Sequence, residues 1–332
     1  MKNNLNDIPF VWTEIGRKPG KYVLNAIKIN AELFPKTPRY LIVSREFASK
    51  LFINDCSVIC EEDLLETEHS HKFKNTHKNW NWSQETYWTN TTRRFFILEQ
   101  FLKTFDLDRL IHLESDTLLL DRKYIDDLFL DSKWGIKYTK QDVTLGCASV
   151  FLVNSMTKLE IFNEFIIKNW NSPSETDMTL LAKYIEHKDE SSYLPSGNLV
   201  KEKIVFDAGT IGRYLFGGDA RNNRIPFSTR GLLPNTTEYF DPSMYKINVN
   251  KNSINLVDSD GNELLLACIH IHSKRVPKNI HQLFRKLDKE GNRKRNWRWK
   301  IGVLDLTVIK ERVNSSVQRR ILRNKNADPR FR

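Results

Sequence analysis

The sequence contains no run of 18 or more apolar residues, so no segment reads as a membrane-spanning helix. Its first residues, MKNNLNDIPF, have no apolar signal core, and secretion is therefore not expected. Cysteine is scarce. Cys56, Cys60, Cys147 and Cys268 have neither zinc-ligand nor disulfide-framework spacing and read as reduced thiols of a cytosolic protein. The lack of a Gly-x-Gly-x-x-Gly run argues against a dinucleotide-binding domain, and no phosphate-binding P-loop is present. Asn-Thr-Thr triplets at Asn90 and Asn235 match the glycosylation pattern but mean nothing without secretion.

What is there is ordinary in bulk and uneven in charge. The 332 residues are 40% apolar and 28% charged, enough for one large α/β domain or a domain with an appendage. The formal net charge is +11, yet residues 273–332 hold 19 Lys and Arg against 5 Asp and Glu. The remaining residues carry 33 basic against 36 acidic, so the basicity belongs to the tail. Within it, Arg293-Lys294-Arg295-Asn296-Trp297-Arg298-Trp299-Lys300 interleaves cations with indole rings. That mixture suits an anionic membrane surface, with phosphate-rich nucleic acid the second reading.

The amino-terminal third alternates strand and helix patterns. Residues 10–13 and 40–43 read as buried strands, and Val23, Ile27, Asn30, Ala31 and Phe34 share one helical face between them. A helix over 45–54 and a strand at 57–59 follow, which predicts an α/β fold: a mostly parallel central sheet with helices on both faces. Residues 66–92 hold His69, His71 and His77 with Trp80, Trp82, Tyr87 and Trp88, and read as a partly aromatic loop beside a site. Arg93 and Arg94 then open a helix with the stripe Leu98, Phe101, Leu102, Phe105.

The stretch that organises the chain is Asp-Arg-Leu-Ile-His-Leu-Glu-Ser-Asp-Thr-Leu-Leu-Leu, residues 108–120. A short apolar strand ends at Leu113, and Glu114 and Asp116 interrupt the apolar pattern before it resumes at Leu118. Ligands of open α/β sheets bind at the carboxyl ends of the strands. Two carboxylates one residue apart there point to the same side and can hold a divalent cation through oxygen. Unpaired, they would be costly beside a core.

Four further segments complete the pattern. Gly146-Cys147-Ala148-Ser149 is a run of small residues before an apolar strand, where backbone can approach a ligand. Ser174 reads as a helix cap, with Glu175 and Asp177 in the first turn. Residues 205–219 hold four glycines with Asp207 and Asp219. Residues 248–254 and 264–271 read as strands flanking the turn Asp260-Gly261-Asn262. Strand alternation places His270 and His272 on one face, with Lys274 just beyond.

The triplet Glu114-Ser115-Asp116 resembles the DxD motif of GT-A glycosyltransferases, and the order of acid pair, small-residue run, later acid and late histidine resembles that family over roughly residues 10–275. The resemblance implies a GT-A fold over 8–275, followed by a basic helical extension over 276–332. It implies Mn²⁺ (or Mg²⁺) bound directly by Asp116, with Glu114 acting through water or on the donor ribose and His270 or His272 completing a mixed donor set that suits Mn²⁺ better. It also implies a nucleotide-sugar donor, a UDP-sugar ahead of the others, lined by Thr13, Ile15, Arg45, Arg94, Ser115, Gly146 and Lys274. Asp177 would be the base on the acceptor hydroxyl and the reaction inverting, with Asp207 and Asp219 in reserve. The acceptor expected is a glycan or lipid-linked glycan. The alternatives are a nucleic-acid-binding protein acting through its tail and, third, a sugar nucleotidyltransferase, of whose Gly-rich signature Gly16-Arg17-Lys18-Pro19-Gly20 is an echo.

Overall fold

The computed structural model describes residues 5–76, 85–131, 133–142, 144–170, 175–184, 191–196, 203–216, 245–250 and 253–291. Strand β1 (Phe10–Glu14) and helix α1 (Lys21–Leu33) come first, then β2 (Arg39–Val43), α2 (Arg45–Ala48) and β3 (Ser57–Cys60). Helices α3 (Glu68–Thr76) and α4 (Glu85–Thr104) lead to β4 (Leu110–Leu113), β5 (Thr117–Leu119) and α5 (Lys123–Leu130). Next are β6 (Ile136–Asp142), β7 (Leu145–Val153), α6 (Met156–Asn169) and α7 (Asp177–Tyr184). The chain continues with β8 (Ser191–Leu194), β9 (Ile204–Phe206), α8 (Thr210–Phe216), β10 (Lys246–Val249), β11 (Ile254–Val257), β12 (Glu263–His270) and α9 (Ile280–Gly291).

The fold is mixed α/β. Its main sheet runs β3-β2-β1-β4-β7-β6-β8, and all its neighbours pair in parallel except those of β7. Because β1 to β4 are parallel, Glu14, Val43, Cys60 and Leu113 end along one edge. Both faces of this sheet are covered, which is why all four residues of β4 are apolar or buried rather than alternating. One face packs Phe95, Phe101, Phe162 and Leu181 from α4, α6 and α7; the other packs Val23, Ile27, Ile125 and Phe129 from α1 and α5.

A smaller sheet, β10-β11-β12-β5 with β9 beside β12, joins at the acidic triplet. There the Thr117 N–H donates to the Glu114 carbonyl at 2.9 Å, closing a turn that hands the chain from β4 to β5. Helix α1 serves both sheets: Ala26 and Ile29 face a third core containing Leu118, Ile269, Leu283 and Leu287. Its buried Asn30 accepts the Leu119 N–H at 3.2 Å, tying helix to strand.

Several sequence-based expectations are corrected. The helix expected over 45–54 is the single turn α2, because Phe52 is 92% exposed and gives no continuing apolar face. Part of the loop expected over 66–92 is helix. Thr67 Oγ accepts the Ser70 N–H at the start of α3, and Phe73 stacks on Phe96 with ring centres 4.3 Å apart. Helix α4 starts at Glu85, not Arg93. His77, Trp80 and Trp82 lie outside the described residues. Residues 146–149 lie within β7 rather than in a loop, and 248–254 spans the end of one strand and the start of the next. In the basic extension, α9 is helical, burying Leu283 and Leu287; residues 292–332, including Trp297 and Trp299, lie outside the described residues.

Candidate active site

Four elements deliver side chains to the carboxyl end of β4. The turn after β4 carries Glu114 and Asp116, both brought there because β4 ends at Leu113. Strand β12 pairs antiparallel with β5, placing His270 opposite Thr117, and the Ile271 N–H donates to the Asp116 carbonyl at 2.8 Å. Strand β7 overshoots β4, its Ser149 carbonyl accepting the Glu114 N–H at 3.0 Å, so Cys147 reaches past the end of β4. Helix α4 presents Arg94 from its buried side.

His270 Nε2 lies 3.1 Å from Glu114 Oε2 and 3.3 Å from Asp116 Oδ1. Each carboxylate turns its other oxygen to a cation. Arg94 takes Glu114 Oε1 at 2.5 Å and Lys274 takes Asp116 Oδ2 at 2.5 Å. Residues more than 150 positions apart therefore share one buried polar cluster. Lys274 adopts a left-handed backbone (φ 59°), and its ammonium also lies 5.3 Å from the centre of the Tyr22 ring.

The charges are mutually imposed. Burial alone would neutralise Glu114, but Arg94 and then His270 hold its carboxyl well below the usual range. Asp116 is likewise held low against its burial, by His270 and Lys274. For His270, burial is outweighed by the Asp116 carboxylate, which keeps the imidazole charged well above its ordinary range. His272, its ring centre 4.1 Å from that of His270, is kept neutral by burial and by the adjacent charge.

Arg94 also binds the Asp177 carboxylate through Oδ2. Asp177 opens α7, where Thr176 and Thr179 exchange hydrogen bonds in a reciprocal cap. Thr176, not Ser174, is thus the capping residue; Ser174 lies outside the described residues. Asp177 is 3% exposed, its Oδ1 lacks a hydrogen-bond partner of normal geometry, and burial raises its pKa despite Arg94.

The remaining expected site residues are distributed as follows. Asp207 accepts the N–H groups of Gly209, Ile211, Gly212 and His270, which anchors the start of α8 to β12. Gly212 is forced by this packing: a Cβ there would stand 1.8 Å from the His270 carbonyl oxygen. A Cβ on Gly146 would meet Leu181 Cβ at 2.6 Å, so that glycine admits α7 against β7. Ile15 points into the core, whereas Arg45 is exposed and pairs with Asp63. Thr13 lies in β1 opposite Ile42, Ser115 is buried within the turn, and Asp219 lies outside the described residues.

The residue that sequence reasoning missed is Cys147, whose Sγ is 3.7 Å from His270 Nδ1. Its only sequence signal was its place in the small-residue run.

Two carboxylates and an imidazole nitrogen turned toward one another form a mainly hard, oxygen-rich donor set that fits Mn²⁺ or Mg²⁺. Among the described residues, Glu114, Cys147 and His270 each offer a ligand atom within 4.8 Å of the other two.

No family model matches this chain, and no curated protein does. Among solved structures, the galactosyltransferase LgtC in complex with donor and acceptor sugar analogs is similar over 57% of this chain and 74% of its own, with a TM-score of 0.37 and 14% identity. Mouse xyloside xylosyltransferase 1 in its apo form is similar over 57% of this chain and 85% of its own, with a TM-score of 0.38 and 11% identity. A cytidylyltransferase from Leptospira borgpetersenii is similar over 57% and 76%, with a TM-score of 0.34 and 14% identity. Likeness of this extent assigns no activity and no residue, so the function rests on the site's own geometry.

Proposed function

We propose that this chain is a metal-dependent GT-A glycosyltransferase that moves a sugar from a nucleoside diphosphate to a hydroxyl of a glycan or glycolipid. The observation that carries this reading is the meeting of Glu114 and Asp116 with His270 at the carboxyl end of β4. Asp116 and Glu114, with His270, would hold Mn²⁺ or Mg²⁺, and His272 stands behind His270. When bound, that ion supplies Lewis-acid neutralisation of the charge building on the leaving diphosphate.

The chain's own residues supply the rest. Lys274, which pairs with Asp116, would share its charge with the diphosphate. Arg94 pairs with both Glu114 and Asp177, so one acid of the pair and the base candidate share a single buried cation. Asp177 Oδ1 takes the acceptor proton as the acceptor oxygen bonds the anomeric carbon and the bond to the diphosphate breaks, which inverts configuration. Burial raises its pKa against the pull of Arg94, which makes the carboxylate a stronger base than an exposed one. We assign Asp207 to holding α8 and β12 in register, since four N–H groups occupy its carboxylate. The donor would lie along the ends of β1 and β2, and a UDP-sugar is the first candidate. The basic segment beyond α9 would hold the enzyme on an anionic membrane surface beside a lipid-linked acceptor.

A thermal-shift screen of UDP-, GDP- and dTDP-sugars with Mn²⁺, followed by donor hydrolysis with Asp116→Ala, tests the reading. Metal-dependent hydrolysis that disappears in the variant is expected. Hydrolysis unaffected by Asp116→Ala, or no nucleotide sugar bound at all, would end it.

A further inference from the structure

His270 meets its neighbours through two different ring nitrogens. Nε2 faces Glu114 at 3.1 Å and Asp116 at 3.3 Å, while Nδ1 faces Cys147 Sγ at 3.7 Å. The sulfur therefore stands behind the ring and not among the groups turned toward the acidic pair. A ring nitrogen binds a cation only through its lone pair, so the proton of a neutral imidazole must then sit on the other nitrogen. That proton needs an acceptor, and the acceptor it finds fixes both the tautomer and the rotation of the ring. Cys147 and His270 are each 4% exposed, which keeps bulk water from taking that part.

From this we infer that Cys147 is a positioning residue: its sulfur accepts the His270 Nδ1–H and so keeps the Nε2 lone pair turned toward the acidic pair, where the cation would be held. The thiol itself touches neither cation nor substrate. Its place is set by the backbone around it. The Glu114 N–H donates to the Ser149 carbonyl at 3.0 Å, tying β7 to the acidic turn, and Gly146 admits α7 against that strand. The imidazole is also held from other sides. The His270 N–H donates to Asp207 Oδ2 at 3.1 Å, and the ring centre lies 4.1 Å from that of His272. Sulfur is a weak acceptor, and it directs the Nδ1 proton without adding a third carboxylate to the cluster. Cys268, the other buried cysteine, has its Sγ against the Asp207 carbonyl at 3.9 Å and serves as an internal control.

This inference rests on reading Glu114, Asp116 and His270 as the cation site, and the test separates the two. Mn²⁺ binding to the full chain is measured by calorimetry, and unfolding free energy by urea titration without metal. Cys147→Ala should weaken Mn²⁺ binding about tenfold or more, and Cys147→Ser, which restores an acceptor, should recover most of that loss. Cys268→Ala should bind Mn²⁺ as wild type does. A sulfur that only fills space would lower the metal-free stability of Cys147→Ala and leave its Mn²⁺ affinity unchanged. That result overturns the inference and leaves the transferase reading standing, as does equal weakening in Cys268→Ala. Nitrogen-15 NMR of the wild type with Mg²⁺ gives a second readout that needs no variant to fold. The His270 proton should be found on Nδ1, and a proton on Nε2 overturns the inference. Wild-type protein that binds neither Mn²⁺ nor Mg²⁺ overturns both readings.

Discussion

Single side chains here are held by opposite charges in a dry setting, and Arg94 shows it most directly. Its guanidinium, 6% exposed, is the shared partner of Glu114 and Asp177. Removing it leaves two buried carboxylates without their cation, and truncating one partner of such a pair costs about 3–5 kcal/mol. Arg94→Met should therefore lower unfolding free energy by roughly that amount in urea titration, whereas Arg94→Lys should recover part of it. A stability loss under about 1 kcal/mol would show that water reaches the pair. A contrasting case is Cys56, whose thiol burial pushes up to about 12. Little thiolate would be present at pH 8, so iodoacetamide should modify Cys56 more slowly in the native protein than in urea. Rapid native labelling at Cys56 would contradict that environment.

Elements meet closely at two glycines, and each close approach predicts a sharp mutational response. Gly146→Ala must push α7 away from β7, because the new methyl would overlap Leu181. A cost of about 1–3 kcal/mol is expected, together with weaker activity as Asp177 moves with its helix. Gly212→Ala is the harsher change, since its methyl would collide with the backbone carbonyl of His270, which cannot rotate away. Destabilisation of about 3 kcal/mol or more is expected by thermal unfolding. An Ala variant at Gly212 with wild-type melting would place α8 further from β12 than described. The start of α7 gives a milder check. Thr176→Ala removes one half of the reciprocal cap and should cost about 1 kcal/mol.

At the scale of the whole molecule, the two sheets are joined through the acidic turn, so a ligand there couples to global stability. An ion that binds only the folded state at 100 times its Kd adds about 2.7 kcal/mol. Melting temperature should rise with Mn²⁺ and fall back on chelation, and Asp116→Ala should flatten the response. The predicted charge division sets a separate expectation. Anionic vesicles should bind the full chain in a salt-sensitive way, and neutral vesicles should not. Equal binding to both would remove the membrane role of the basic tail.

The local sequence determined much of this. The apolar runs at 10–13, 40–43 and 110–113 specify buried strands because a strand covered on both faces needs no polar side. The triplet Glu114-Ser115-Asp116 marked the site because charges at a strand end stand out against such a run. Tertiary structure decided what short-range pattern cannot encode. Thr117 had to pair with His270 before the acids and the imidazole could meet, and β7 had to overshoot β4 before Cys147 could reach that imidazole. The four-fold backbone capping of Asp207 was equally invisible, because the N–H groups it accepts acquire direction only once α8 folds against β12. Sequence supplies the donors and the strand that ends beside them; long-range pairing supplies the distances, and on distances of a few ångströms the chemistry depends.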